Sequence, residues 1–234
     1  MIRPQLRPDF KAGNVILFNN DCLEVLPLLP PEAAIVTDPP YGIKNGGDYT
    51  RLSGGKRPSN NFHGRSNQSR YWGGIIGDDK PFDPSPWLRF PKVVLWGYQY
   101  FARHLPPGTI LVWQKNRDSV LGRFMSDGEL AWMKGGVGTY LFKHIWRGMD
   151  RQSEQGQKTL HPTQKPVALF DWVMHRAKIK PMQVVVDPYM GSAPCALACI
   201  KAGIPFIGIE KDPKHFATAV ARVEATIAGK GVRQ

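Results

Sequence analysis

Cysteine is scarce. The 234 residues hold three, Cys22, Cys195 and Cys199, at spacings that suit no metal and leave an odd one over. This excludes a disulfide-stapled scaffold and a zinc ribbon, and points to free thiols in a reducing compartment. No apolar run approaches the ~18 residues of a membrane span, and Met1-Ile2-Arg3-Pro4-Gln5 lacks the core of a signal peptide. Acids are few, 19 against 31 Lys and Arg, for a net charge of +12. The imbalance suggests a polyanionic partner, nucleic acid before an acidic membrane surface, since no basic amphipathic helix stands out. Two nucleotide-binding signatures are missing as well: the full Gly-x-Gly-x-x-Gly fingerprint and the Gly-Lys-Ser/Thr of a phosphate loop. Neither an internal repeat nor a second-domain boundary is visible, so residues 1–234 read as one domain with room for a substantial core.

What is present is organised around Ala33-Ala34-Ile35-Val36-Thr37-Asp38-Pro39-Pro40-Tyr41-Gly42. Small and β-branched residues predict a buried strand that runs into an acid, two prolines, an aromatic and a glycine. Pro40 brings no N–H and holds Pro39 extended, leaving the Pro39 carbonyl available. A carboxylate, a carbonyl and an aromatic face thus converge at the carboxyl end of a strand, where open α/β sheets place ligands. A planar base with an exocyclic amine fits that set: its two hydrogens on Asp38 and the carbonyl, its ring on Tyr41. The simpler reading is a proline-stiffened turn with a surface tyrosine.

Upstream, Val15–Phe18 predicts a strand, and Asp21 a cap on a helix over 23–29. Asp21 and Asp38 are expected side by side at one sheet edge. Residues 44–76 form a long aperiodic loop with Lys44, Arg51, Lys56, Arg57, Arg65 and Arg70 among Phe62, His63, Tyr71 and Trp72. Basic residues mixed with aromatics beside a base pocket favour a nucleic-acid contact over a solvated flap. Strands follow at 91–96 and 109–113, with a helix over 98–104 between them. Segments 129–133 and 139–146 look like a hairpin turned at Gly135-Gly136. After a polar linker over 147–160, His161-Pro162-Thr163-Gln164-Lys165-Pro166 opens a helix reaching about Ala177. Strands at 184–186 and 206–209 alternate with helices ending near Lys201 and Ala228. Alternation of this kind argues for an α/β doubly wound sheet.

Asp187-Pro188-Tyr189-Met190-Gly191-Ser192 resembles a nucleotide-binding turn, and Glu210 ends the next strand, where an acid holds ribose hydroxyls. One close glycine, a ribose acid and no pyrophosphate cradle describe a nucleoside without a phosphate chain. S-adenosylmethionine is the common cofactor of that shape, although a glycine turn with a strand-end acid occurs in many α/β proteins.

Taken in order, Asp38-Pro39-Pro40-Tyr41, His161 to Pro166, Asp187 to Ser192 and Phe206-Ile207-Gly208-Ile209-Glu210 resemble the amino-directed (N6-adenine/N4-cytosine) DNA methyltransferases, and the catalytic motif preceding the cofactor motif resembles their β group. The resemblance spans about residues 14 to 228. It implies a Rossmann-like class I S-adenosylmethionine-dependent methyltransferase fold, circularly permuted, with a mostly parallel sheet and one antiparallel edge hairpin strand. It implies catalysis by Asp38, Pro39, Pro40 and Tyr41. It places the cofactor on Asp21, Cys22, Asp38, His161, Thr163, Lys165, Asp187, Pro188, Tyr189, Gly191, Ser192 and Glu210, with Asp21 and the Cys22 backbone at the adenine and Thr163 and Lys165 at the methionine end. Two departures stand out. Ala193 and Pro194 follow Gly191-Ser192 where the family's turn reads Gly-Ser-Gly, and Ala193 tolerates positive φ poorly. Little chain is left for target recognition, which falls to 44–76 and 114–160 or to a partner subunit.

The expected reaction is methylation of adenine N6 in double-stranded DNA after base flipping; an Asp at the first motif position leans toward adenine by resemblance. N4-cytosine methylation is the alternative with the same chemistry, and a catalytically decayed DNA-binding protein is the alternative from another class. Pro194-Cys195 matches the nucleophile of carbon-5 cytosine methylation only superficially, because Cys195 falls inside a helix. His161 has no second ligand at useful spacing, so no metal is expected. A homodimer, a cytoplasmic and nucleoid-associated location, and no membrane association complete the expectations.

Overall fold

The computed structural model describes residues 6–43, 76–122, 126–147, 150–156 and 164–229. The basic loop carrying Lys44, Arg51, Lys56, Arg57, Arg65 and Arg70 lies outside the described residues, as do His161 and Thr163.

Strands β1 (Phe10–Ala12), β2 (Val15–Phe18), β3 (Ala34–Thr37), β4 (Lys92–Trp96), β5 (Gly108–Gln114), β6 (Gly128–Lys143), β7 (Trp146–Arg147), β8 (Asp150–Arg151), β9 (Val185–Asp187) and β10 (Phe206–Ile209) alternate with helices α1 (Cys22–Val25), α2 (Tyr98–Phe101), α3 (Val167–Arg176), α4 (Pro194–Ala202) and α5 (Pro213–Ile227). Eight strands form one sheet in the order β1-β2-β10-β9-β3-β4-β6-β5, and β7 pairs with β8. The block β2-β10-β9-β3-β4 is parallel throughout. Its strands are short and β-branched because helices cover both faces. Ile35, Val93 and Leu95 pack on one face with Val25, Trp87, Phe90 and Phe101. Val36 and Val94 point the other way, into a core with Phe170 of α3, Leu197 of α4 and Ala219 of α5.

From β9 the chain proceeds to β10 on one side, whereas from β3 it proceeds to β4 on the other. The carboxyl ends of β9 and β3 are therefore the switch point where such sheets open a crevice. β10 lies beside β2, Phe206 opposite Val15, although nearly the whole chain separates them. This is the arrangement of a permuted sheet whose termini fall between two neighbouring strands.

Three expectations are refined. Asp21 and Asp38 share one lip of the sheet, but β10 and β9 stand between their strands, so the two are not side by side. The antiparallel edge hairpin is made by β1 on β2, Phe10 opposite Leu17. Segments 129–133 and 139–146 do not pair with each other. On one side of β5, Thr109 faces Met133 and Trp113 faces Glu129; on the other, Ile110 faces Thr139 and Gln114 faces Lys143. β5 thus lies between the two halves of β6, and Gly135 (φ 82°) and Gly136 (φ 68°) carry the chain around its end. No helix among the described residues is long and apolar enough to cross a membrane.

Candidate active site

Asp38 leaves β3 at the switch point with both carboxylate oxygens engaged. The Tyr41 hydroxyl donates to Oδ1 and the Lys165 ammonium to Oδ2. Lys165 is 5% exposed, reaches Glu129 Oε2 at 3.2 Å, and lies 5.8 Å from the Trp96 ring centroid. Lys115 closes the series at 2.9 Å from Glu129 Oε1. Four alternating charges, Asp38–Lys165–Glu129–Lys115, thereby form one chain starting at the Asp-Pro-Pro-Tyr motif, with Lys165 its most buried member.

Burial and, more weakly, the neighbouring Glu129 carboxylate push the Asp38 carboxyl up, against the pull of Lys165. Burial acts in the same sense on Glu129, but the ammonium groups of Lys165 and Lys115 outweigh it and hold Glu129 down to about 2. Burial opposes the charge on Lys165, and its two carboxylates outweigh that, keeping it an ammonium.

Tyr41 is held on two sides. Its ring stacks on Tyr100, with centroids 4.7 Å apart and planes 18° from parallel. Its edge fits against Gly97 (φ 82°), where a Cβ would fall 2.1 Å from the Tyr41 ring. One ring face is thus covered by Tyr100. Burial raises the Tyr41 hydroxyl well above its usual range, so it acts as a neutral donor.

Across the switch point, Thr37 Oγ1 donates to Asp187 Oδ1 at 2.6 Å, tying the end of β3 to the end of β9. Asp187 also accepts from Tyr189 N at 3.2 Å, yet burial pushes it up to about 7. Glu210 sits behind the turn: its two oxygens accept from Gly191 N at 3.0 Å and Asp212 N at 2.8 Å. Burial raises the Glu210 carboxyl. Asn19 donates to the Glu210 carbonyl at 2.8 Å, and Asp21, which caps α1 through Leu23 N at 2.9 Å, pairs with Lys211 at 2.9 Å. Cys22 is buried beside Tyr189 and is pushed up to about 11 by burial. Pro188 is buried within the same turn.

The departure at Ala193 is visible in the backbone. Ala193 adopts φ 59° and ψ 40° and is fully buried at the entry to α4, with Pro194 in the first turn. A left-handed alanine costs about 1–2 kcal/mol. The turn is held from behind by Arg222, which donates to the Ser192 carbonyl and reaches its Oγ at 3.1 Å. Arg222 also approaches Glu154 at 3.8 Å. Glu154, itself at φ 54°, accepts from Val167 N at 2.8 Å and so caps α3.

One cleft joins the two sides, lined by Asp38, Lys165, Asp187, Tyr189, Gly191 and Ser192 among others. Six of the sequence-derived site residues therefore share it, and Glu210, Asp21 and Cys22 stand directly behind or beside its turn. Lys165, expected at the methionine end of a cofactor, reaches Asp38 and lines the cleft together with Gly191 and Ser192. Cys195 is fully buried in α4 and pushed well above the usual thiol range by burial, which removes it as a nucleophile. Among the described residues no three His, Cys, Asp or Glu gather to hold a metal ion.

Sequence reasoning missed Glu129, Lys115, Tyr100, Thr37, Glu154 and Arg222. Two left a signal. Glu129 is the single acid of β6 and opens its apolar run Leu130-Ala131-Trp132-Met133, and Arg222 lies next to the buried Val223 and a turn from Ala219 on an amphipathic helix.

A permuted Rossmann-like sheet with an acidic Pro-Pro-Tyr motif facing a glycine turn across its switch point has the architecture of the class I methyltransferase fold. A family profile described as DNA methylase, of the N6/N4 type, matches residues 137–221. The chain is 22% identical over 258 residues to the type II methyltransferase M2.DpnII of Streptococcus pneumoniae, covering 94% of this chain and 93% of that protein. It is 23% identical to M2.LlaDCHI of Lactococcus lactis subsp. cremoris, covering 93% and 92%. Among solved structures, the M1.HpyAVI–SAM complex is similar at 20% identity and a TM-score of 0.51, covering 89% of this chain and 99% of that one. The PvuII DNA methyltransferase (cytosine-N4-specific) is similar at 16% identity and a TM-score of 0.58, covering 92% and 88%. The profile match and these full-length relatives support the amino-directed (N6-adenine/N4-cytosine) DNA methyltransferase family for this chain.

Proposed function

We propose that this DNA methyltransferase transfers a methyl group from S-adenosylmethionine to N6 of an adenine everted from duplex DNA, and that residues 1–234 act as one catalytic domain. The observation carrying this reading is the shared cleft, in which Asp38 faces the Gly191 turn and the Thr37–Asp187 hydrogen bond of 2.6 Å fixes the two strand ends. The residues present fit the cofactor. Each Glu210 oxygen accepts one backbone N–H and keeps capacity for a ribose hydroxyl. Asp21 and the Cys22 backbone stand one strand over for the adenine, and Gly191, Ser192 and Asp187 border the methionine end. S-adenosylmethionine supplies the electrophilic methyl.

The exocyclic amine of a base is a weak nucleophile because its lone pair is delocalised into the ring. Asp38 and the Pro39 carbonyl each accept one amine hydrogen, which draws the nitrogen toward tetrahedral geometry and aims the lone pair into the cleft. The gain comes from position and electrostatics. The proton released after transfer leaves through Asp38 to solvent. Everting the base costs a few kcal/mol, offset by stacking on the face of Tyr41 opposite Tyr100, worth about 1–3 kcal/mol. Phosphate contacts from Lys44, Arg51, Lys56, Arg57, Arg65 and Arg70 supply the salt-dependent remainder.

N4-cytosine methylation is the second reading; the structural likeness to a cytosine-N4-specific enzyme favours it. Modification-sensitive sequencing of DNA from cells expressing the wild type and Asp38→Ala tests both. N6-methyladenine in one sequence context, absent with the variant, supports the first; N4-methylcytosine supports the second.

A further inference from the structure

We propose that Glu129 is a positioning residue that takes the Lys165 ammonium from Asp38 when cofactor and target arrive. The inference rests on the methyltransferase reading above. Both Asp38 oxygens are engaged, one by Tyr41 and one by Lys165, and a target amine needs one of them. Lys165 is the partner with somewhere to go. Its ammonium already lies 3.2 Å from Glu129 Oε2, inside a pocket walled by Trp96. A methyl donor with a sulfonium centre brings a second positive charge to the mouth of the same cleft, which repels Lys165 in the same direction. Glu129 meets the requirements of a receiver: it is deprotonated, only 28% exposed, and held in place on its far side by Lys115 at 2.9 Å. An uncharged residue there would leave Lys165 pinned to Asp38, crowding the sulfonium and denying the amine its acceptor.

The distinguishing property is charge, so the test compares two ligands that differ by it. S-adenosylmethionine carries the sulfonium; S-adenosylhomocysteine has a neutral thioether on the same framework. Calorimetric titration of the full chain carrying Glu129→Gln is expected to show S-adenosylmethionine weakened about ten-fold more than S-adenosylhomocysteine. Single-turnover methylation at saturating cofactor is expected to fall as well. In a Lys165→Met background the same Glu129→Gln change is expected to leave the ratio of the two affinities unaltered, because Glu129 acts through Lys165. Equal weakening of both ligands would assign Glu129 a merely structural role, and an unchanged ratio, or the same change with Lys165 absent, would also overturn the proposal. Should Glu129→Gln fail to fold, Glu129→Asp keeps the charge with a shorter reach and is expected to show an intermediate ratio; an unaltered ratio there counts against the proposal. A wild-type protein that binds neither ligand would defeat the methyltransferase reading itself, whereas one that binds both and is indifferent to Glu129→Gln defeats only this inference.

Discussion

The two sides of the cleft are built from different physics. The side of Asp38 is made of side-chain charges: an acid, two ammonium groups and a second acid in alternation, with Lys165 only 5% exposed. The side of Gly191 is made of backbone. Its carboxylates accept N–H groups and are pushed up by burial, Asp187 to about 7, and its shape depends on a left-handed alanine held from behind by an arginine. On the first side Lys165 sits between two acids, Asp38 and Glu129, within reach of both. The second has little freedom, as suits a surface that recognises a cofactor by shape. The comparison teaches that substitutions on the first side act on chemistry and those on the second on affinity and stability.

The largest effect is expected at Asp38. Replacement by alanine should slow single-turnover methylation by at least about 100-fold, the scale of losing one preorganised group at a reacting centre, while cofactor binding persists. Parallel rate and calorimetric measurements check this, and a loss of binding as large as the loss of rate would erase the division of labour. Next comes Glu210→Gln, which should weaken S-adenosylmethionine by roughly 10- to 100-fold, one or two hydrogen bonds' worth, with most of the rate retained at saturation.

A smaller effect is set by pH. Asp187 keeps its proton to about pH 7 in the folded chain, against 3.8 for the free group. The folded state binds more protons between those values, so this residue's contribution to stability is full below pH 3.8 and is lost as pH rises through 7. Urea unfolding should show the wild type losing about 1 kcal/mol more than Asp187→Asn between roughly pH 6 and 8. Smallest is Ala193→Gly. Relief of the left-handed strain, less the entropy a glycine adds to the unfolded chain, should stabilise by about 0.5–1 kcal/mol and raise the Tm by about 1–4 °C. A lower Tm would mean that the alanine methyl packs better than its backbone suffers.

Much of this was legible in the chain, for reasons particular to each residue. Asp38 and Asp187 end apolar runs, and strand ends are where α/β sheets bind ligands. Ala193 stood out because it occupies the place of the second glycine in a Gly-Ser-Gly turn, where positive φ is expected, and φ is 59°. Free buried thiols followed from three unpaired cysteines. The interleaving of β5 between the halves of β6 was not legible: glycines at 135–136 say that the chain turns, not whether a third strand occupies the turn. Lys165 was read at the methionine end of the cofactor by resemblance, and what the sequence could not show is that its ammonium also meets acids 127 and 36 residues away. Glu154 was invisible for the same reason and Glu129 showed only as an acid in an apolar run, since the importance of both comes from partners that only the fold brings together.

The most direct measurement is the identity of the methylated base. Purified protein, methyl-labelled S-adenosylmethionine and duplex DNA are incubated, and the DNA is digested to nucleosides and resolved. Label in N6-methyladenine is the expected result, the methyl resting on an amine presented by Asp38. Label in 5-methylcytosine, or none in DNA, would contradict it.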